Sequence, residues 1–253
     1  VRFTFAALLL IWWFPIPKGY LKKIFFASLI ANTLQYSITY TGLNYIDASA
    51  AVLLVQTEVP FGVIFAFFML KEKPTIRALI GIAIAFVGVY ILTGSPNLEG
   101  KFFGISLTII GSAIWALGQV IVKPLSKEIN PLALVAWLAL FSGPLLIALS
   151  SIIDGDTIKY LSEAKFDHWI IAFYIGFIMQ PVTYGCFYYV LKNNPLYKVL
   201  PIVTMGIPPT GLLAAIFLLG EKPTQELFIG GAIIIVGVIL IVFTKNKTEE
   251  VEK

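Results

Sequence analysis

The sequence predicts an all-α fold: a polytopic membrane helix bundle. Nine spans are visible of a ten-helix arrangement built from two inverted five-helix repeats, with the first helix missing. Three observations predict it. Of 253 residues, 58% are hydrophobic and 13% charged, against roughly a quarter charged in an ordinary soluble domain. The apolar residues gather into runs of about 20, enough to cross about 30 Å of hydrocarbon. The tetrapeptide Glu-Lys-Pro-Thr occurs twice, each time ahead of a similar glycine-spaced run. With a mean hydropathy of +0.90, the chain cannot hide its apolar surface in a water-soluble globule. A soluble enzyme, a nucleic-acid binder and a disordered chain are excluded.

The segments run 3–16, 24–43, 48–70, 76–94, 102–122, 131–153, 168–191, 195–219 and 225–243. The first ends at Pro15-Ile16-Pro17-Lys18, with Trp12 and Trp13 as interface anchors. Its 14 residues span only about 21 Å at about 1.5 Å per residue. The chain opens on Val1-Arg2-Phe3 rather than Met, so residues upstream are expected to complete this span. The second segment is polar, with Asn32, Thr33, Gln35, Tyr36, Ser37, Thr39 and Tyr40. The third carries Gln56, Glu58 and Pro60 and stops at Lys71-Glu72-Lys73-Pro74; the fourth, with Gly81 and Gly88, stops at Ser95-Pro96-Asn97. The fifth holds Trp115 and Gln119, and Asn130-Pro131 opens the sixth. After the longest connection, 154–167, the seventh carries Gln180, Tyr184 and Tyr188 and ends at Asn193-Asn194-Pro195. The eighth contains Pro201, Pro208 and Pro209, and Glu221-Lys222-Pro223 separates it from the ninth.

Cytoplasmic loops collect Lys and Arg. On these spans, 13 of the 18 basic residues fall on the side of Lys18, Lys71, Lys127, Lys192 and Lys245, and 5 on the side of Arg2, Lys101, Lys159, Lys165 and Lys222. The bias predicts a cytoplasmic C-terminus and an external 154–167 loop.

Residues 69–92 and 218–241 match at 12 of 24 positions at an offset of 149, including Glu72/Glu221, Pro74/Pro223, Gly81/Gly230 and Gly88/Gly237. The offset also aligns Pro60 with Pro209 and Gly62 with Gly211. The chain thus divides into a four-helix repeat, 1–94, a five-helix repeat, 101–243, and a tail, 244–253. A five-helix unit is odd, so its copies must be inverted. Lys71 becomes Gly220 and Arg77 becomes Glu226, as a change of membrane face requires. Inverted repeats around a midplane site mark secondary transporters.

The carrying features are Arg2-Phe3 opening a span, the twofold L-x-E-K-P-T followed by G-x6-G, and Trp115-Ala116-x-Gly118 with Lys123 and Pro131 downstream. In these the chain resembles the drug/metabolite transporter superfamily, EamA family, over essentially its whole length. The stretches 50–73 and 137–155 are most similar to O-acetylserine/cysteine-type metabolite exporters. The resemblance implies ten helices, two inverted five-helix units and two cytoplasmic termini. It also implies a cavity to which a first helix, lacking here, contributes.

Glu58 is the sharpest site candidate. A carboxylate at the centre of a span costs about 2.5–3.5 kcal/mol on insertion scales. It must therefore face the interior and be paired, hydrogen-bonded or protonated. It reads as a proton-coupling or cargo-amine site; a structural carboxyl is the competing reading. Gln56 lies about 160° round the same helix at 100° per residue. Asn32, Tyr36 and Tyr40 share one face, as do Gln180, Tyr184 and Tyr188 in the repeat-equivalent helix. These faces line a substrate cavity or serve as interhelical glue. Trp115 and Gln119 share a further face as cavity wall. Pro60, Pro201, Pro208 and Pro209 break their helices, which makes the 48–70 and 195–219 pair the gating candidate. The glycine faces of the fourth and ninth spans suit close helix contact. Lys123 and Lys198 are expected to snorkel at a membrane rim.

The predicted function is export of small metabolites, amino acids or their derivatives, by alternating access in the cell (inner) membrane. Export of drug-like cations and a non-transporting structural protein stay open as alternatives. One Cys and one His leave no disulfide framework and no His/Cys metal cage. No nucleophile–base pair suggests an enzyme, and no P-loop suggests ATP hydrolysis. No cofactor or nucleic-acid partner is expected. The partners are a small-molecule substrate and the lipid bilayer, with homo-oligomerisation open.

Overall fold

The computed structural model describes residues 1–153, 155 and 157–242. The 244–253 tail lies outside the described residues, which form helices and connections with no strand. Among the described residues, six helices are long and apolar enough to cross a membrane: Ala48–Leu70, Ile76–Thr93, Phe102–Glu128, Pro131–Ile153, Phe166–Asn193 and Leu196–Leu219. The helical run 21–43 is polar, and Gln225–Ile241 is a shorter apolar helix.

Three elements differ from expectation. The first helix, Arg2–Leu10, stops before the tryptophans; Trp12 and Trp13 stand exposed ahead of Pro15 and Pro17. The fifth runs on to Glu128 through Pro124, so Lys123 is buried at 6% exposure instead of snorkelling. A short helix, Thr157–Ser162, sits in the long connection.

The chain forms two compact units, each drawing helices from both sequence halves. Unit 1 is 1–37 with 121–194; unit 2 is 38–120 with the chain from 195 onward. In unit 1, Phe3, Ala6 and Ala7 of the first helix pack with Ala139 of the 131–153 helix, joined by Tyr36. Two helices of this unit contain π-helical turns, Leu29–Leu34 and Tyr174–Met179. Such turns are rare and concentrate where helices carry function.

In unit 2, the Ile76–Thr93 and Gln225–Val242 helices cross backbone to backbone. A Cβ on Gly237 would lie 2.6 Å from Gly81 O, and one on Gly88 would lie 2.8 Å from Gly230 O. Only glycine permits that approach. The other helix pair of this unit is broken. In Ala48–Leu70, the 3-10 turn Val55–Thr57 interrupts the α-helix. In Leu196–Leu219, the helix ends at Thr204 and restarts at Ile207. The breaks fall at repeat-equivalent positions. The pair interlocks twofold, with Leu200 seated against Gly62 and Val52 against Gly211.

Candidate functional site

Unit 1 brings the polar faces of two repeat-equivalent helices into contact. Tyr36 and Tyr184 share a hydrogen bond between hydroxyls at 2.9 Å. Tyr188, 2% exposed, has its ring centroid 5.8 Å from that of Tyr184. The Arg2 guanidinium lies over the Tyr36 ring, 4.0 Å from its centroid, and 4.9 Å from that of Phe3. Both are cation–π distances. The sequence reading gave Arg2 no site role; its signal was the Arg2-Phe3 pair at the start of a span. Chemically, the cluster offers a guanidinium and two phenol hydroxyls, groups that recognise a carboxylate.

The remaining unit 1 candidates fall into different surroundings. Asn32 donates from Nδ2 to Ser142 Oγ at 2.9 Å, and Ser142 donates to Leu138 O at 2.6 Å. This is a helix-to-helix bridge, as the glue reading anticipates. Gln180, 6% exposed, starts the α-helix directly after the π turn. The face expected to run from Asn32 to Tyr40 does not keep its burial: Asn32 is 4% exposed and Tyr40 52%. Tyr36 and Tyr40 both follow the Leu29–Leu34 π turn, in the regular helix Gln35–Leu43, and burial falls along that helix.

The broken pair in unit 2 holds the other buried candidates. Gln56 donates from Nε2 to Thr204 O at 3.4 Å. In a continuous helix that carbonyl would accept from residue 208, but Pro208 has no N–H. A side chain at one break thus satisfies a backbone group freed at the other, as irregular backbone at depth requires. Glu58 opens the α-helix after the 3-10 turn and is 5% exposed. No hydrogen bond or ion pair reaches its carboxyl among the described residues. Gln119 is 1% exposed, with both amide atoms unpartnered; Trp115, on the same helix, is half-buried.

Sequence reasoning used the Glu-Lys-Pro-Thr motif as a mark of repetition and missed what its glutamates do. Each copy follows a left-handed residue, Lys71 (φ 56°) or Gly220 (φ 68°). The next N–H then reaches back into the helix: Glu72 N to Ala66 O and Glu221 N to Ala215 O. A left-handed residue just past the last turn is a common helix stop. Here it aims the Glu221 carboxylate at Ala48 N (2.8 Å) and Ser49 N (2.9 Å). Glu72 likewise accepts from Leu196 N (3.1 Å) and Tyr197 N (3.3 Å). The motif threonines cap the helices that follow, Thr75 accepting from Ala78 N and Thr224 from Leu227 N. Burial alone would raise the Glu221 pKa. Hydrogen bonds from Ser49 and Ala48, with the Lys101 charge nearby, outweigh it and hold this carboxyl below its ordinary range.

Comparison with known proteins supplies the family. The EamA-like transporter family matches residues 1–94 and 102–243. A protein of Escherichia coli (strain K12) described as a probable amino-acid metabolite efflux pump is 28% identical over 252 residues, covering 96% of this chain and 84% of its own length. A protein of Salmonella typhimurium with the same description is 26% identical over 253 residues, covering 96% and 84%. A transporter of Clostridium kluyveri is 26% identical over 243 residues, covering 93% and 75%. A solved crystal structure superposes with a TM-score of 0.68 at 13% identity, over 96% of this chain and 86% of that one; it shows likeness of fold. With its all-helical architecture and membrane-length apolar helices, the chain belongs to the EamA-like transporter family, within the drug/metabolite transporter superfamily, and is a multi-pass membrane transporter.

Proposed function

We propose that the chain exports small metabolites, amino acids or their derivatives, as a secondary transporter working by alternating access. The Arg2–Tyr36–Tyr184 cluster carries this reading. A guanidinium beside two hydrogen-bonded phenols offers charge-assisted donors of the kind a carboxylate takes. The likeness to two described amino-acid metabolite efflux pumps supports the same cargo class. In this reading Asn32, Tyr36, Tyr40, Gln56, Glu58, Trp115, Gln119, Gln180, Tyr184 and Tyr188 contribute to cargo handling. The repeats 1–94 and 101–243 are inverted, and the protein lies in the cell (inner) membrane with its C-terminus cytoplasmic. The broken helices supply the element with two arrangements that alternating access needs.

A second reading, export of drug-like cations, is favoured by the buried Glu58 carboxyl and its lack of a protein partner among the described residues. Counterflow into proteoliposomes separates the two, using a panel of labelled amino acids and their decarboxylated amines. The amino-acid reading expects exchange of the acids, loss of exchange for the amines, and a KM raised about tenfold or more by Arg2→Gln. Equal exchange of the amines, unaffected by Arg2→Gln, would overturn it in favour of cations.

A further inference from the structure

The two motif glutamates act across the repeats. Glu221, which closes the second repeat's broken helix, caps the start of the first repeat's broken helix at Ala48 and Ser49; Glu72 does the reverse at Leu196 and Tyr197. Neither helix start has a local cap. Asp47 makes no capping bond and instead pairs with Lys101 at 3.3 Å. Pro195 has no side chain able to cap. An uncapped start leaves N–H groups without partners and the positive end of the helix dipole exposed. A carboxylate from the other repeat answers both needs.

The two caps stand at opposite ends of the same antiparallel pair. Glu221 binds at Ala48, and Glu72 follows Leu70. About 34 Å of helix separates those ends at about 1.5 Å per residue. Between them lie the two breaks, bridged by Gln56 and Thr204. Each half-helix can therefore turn about its break if its outer end is released. Both glutamates are only partly buried, so water can replace the bonds at modest cost.

We propose that Glu72 and Glu221 are the two latches of the transport cycle. Each is a positioning residue that closes one end of the broken-helix pair, and the ends open one at a time. This rests on the alternating-access reading above. It differs from plain capping in one respect: loss of a latch must open one end and not the other.

The test uses the full chain with Cys186→Ser, a single reporter at Thr57→Cys beside the break, and a membrane-impermeant maleimide applied to either face of sealed vesicles. Asn44→Cys and Lys73→Cys, in the loops beside the two latches, identify the faces. Glu221→Ala is expected to raise reporter labelling about fivefold from the Asn44 face alone, and Glu72→Ala from the Lys73 face alone. Glu221→Gln and Glu72→Gln keep an acceptor oxygen, should give smaller shifts on the same faces, and serve where an Ala variant fails to insert. Labelling that rises equally from both faces, or stays unchanged in folded variants, would overturn the latches. The readout needs no cargo. Failure of the amino-acid reading therefore appears in counterflow, and failure of the latches appears in labelling.

Discussion

Unit 2 contains two helix pairs made from the same repeat, and they are built on opposite principles. The Ile76–Thr93 and Gln225–Val242 helices are continuous and meet through four glycines close enough for backbone contact. Ala48–Leu70 and Leu196–Leu219 are interrupted at equivalent points, bury Gln56, Thr57, Glu58 and Thr204, and are tied at both ends by the carboxylate that follows the partner helix. A contact of apolar backbone surfaces has one best distance and no polar alternative, so it serves as a spine. A polar break is held by a few directional bonds that can be exchanged, which suits the joint that the proposed cycle requires. Each repeat contributes one helix to each pair, which places a continuous pair beside an interrupted one in a single unit.

The largest effect should come from filling the spine. Gly237→Leu would drive a side chain into the Ala85 backbone, whose nitrogen lies 2.6 Å from a Cβ at that position. Overpacking typically costs about 1–3 kcal/mol, and more where only backbone can yield. The variant should lose monodisperse folded protein in detergent by size exclusion. Gly206→Ala, where a Cβ meets nothing within 4 Å, should remain folded; equal tolerance at both sites would erase the contrast.

Next comes the joint. Gln56→Leu leaves Thr204 O without its donor. An unsatisfied buried group costs about 1–3 kcal/mol, and thermal unfolding should show it. Glu58→Gln, which removes titration but keeps hydrogen bonding, should abolish gradient-driven transport with little change in melting. Uptake by the Gln variant with wild-type pH dependence would remove Glu58 from the cargo-handling set.

The smallest effect concerns pH. The folded chain holds the Glu221 carboxyl below its unfolded value of 4.5. Its stabilisation is therefore complete above that pH and lost as pH falls through the lower folded value. Because the group is part-exposed and screened, the loss should not exceed about 1 kcal/mol. Melting temperature against pH for wild type and Glu221→Gln checks it: the difference present at pH 7 should shrink toward pH 3. A constant difference would mean the charge contributes nothing.

Periodicity, apolar run length and proline positions were enough to read most of the helices and the interruption of 48–70 and 195–219, because each is a local property of the chain, although Pro201 lies inside the helix Leu196–Thr204 instead of breaking it. Tyr36 and Tyr184 were legible as members of polar faces on repeat-equivalent helices, and Gln56 and Glu58 as polar groups in apolar spans. Three things were not legible. The drop in burial from Asn32 through Tyr36 to Tyr40 depends on what packs along that helix, which residue spacing does not announce. Arg2 looked like a loop charge until the tertiary arrangement set its guanidinium over Tyr36, 34 residues away. The partners of Glu72 and Glu221 lie 124 and 173 residues away. A helix start needs an acceptor, and the sequence shows that Pro195 cannot provide one. Which distant carboxylate does so depends on how the two repeats interlock, and tertiary structure alone decided that.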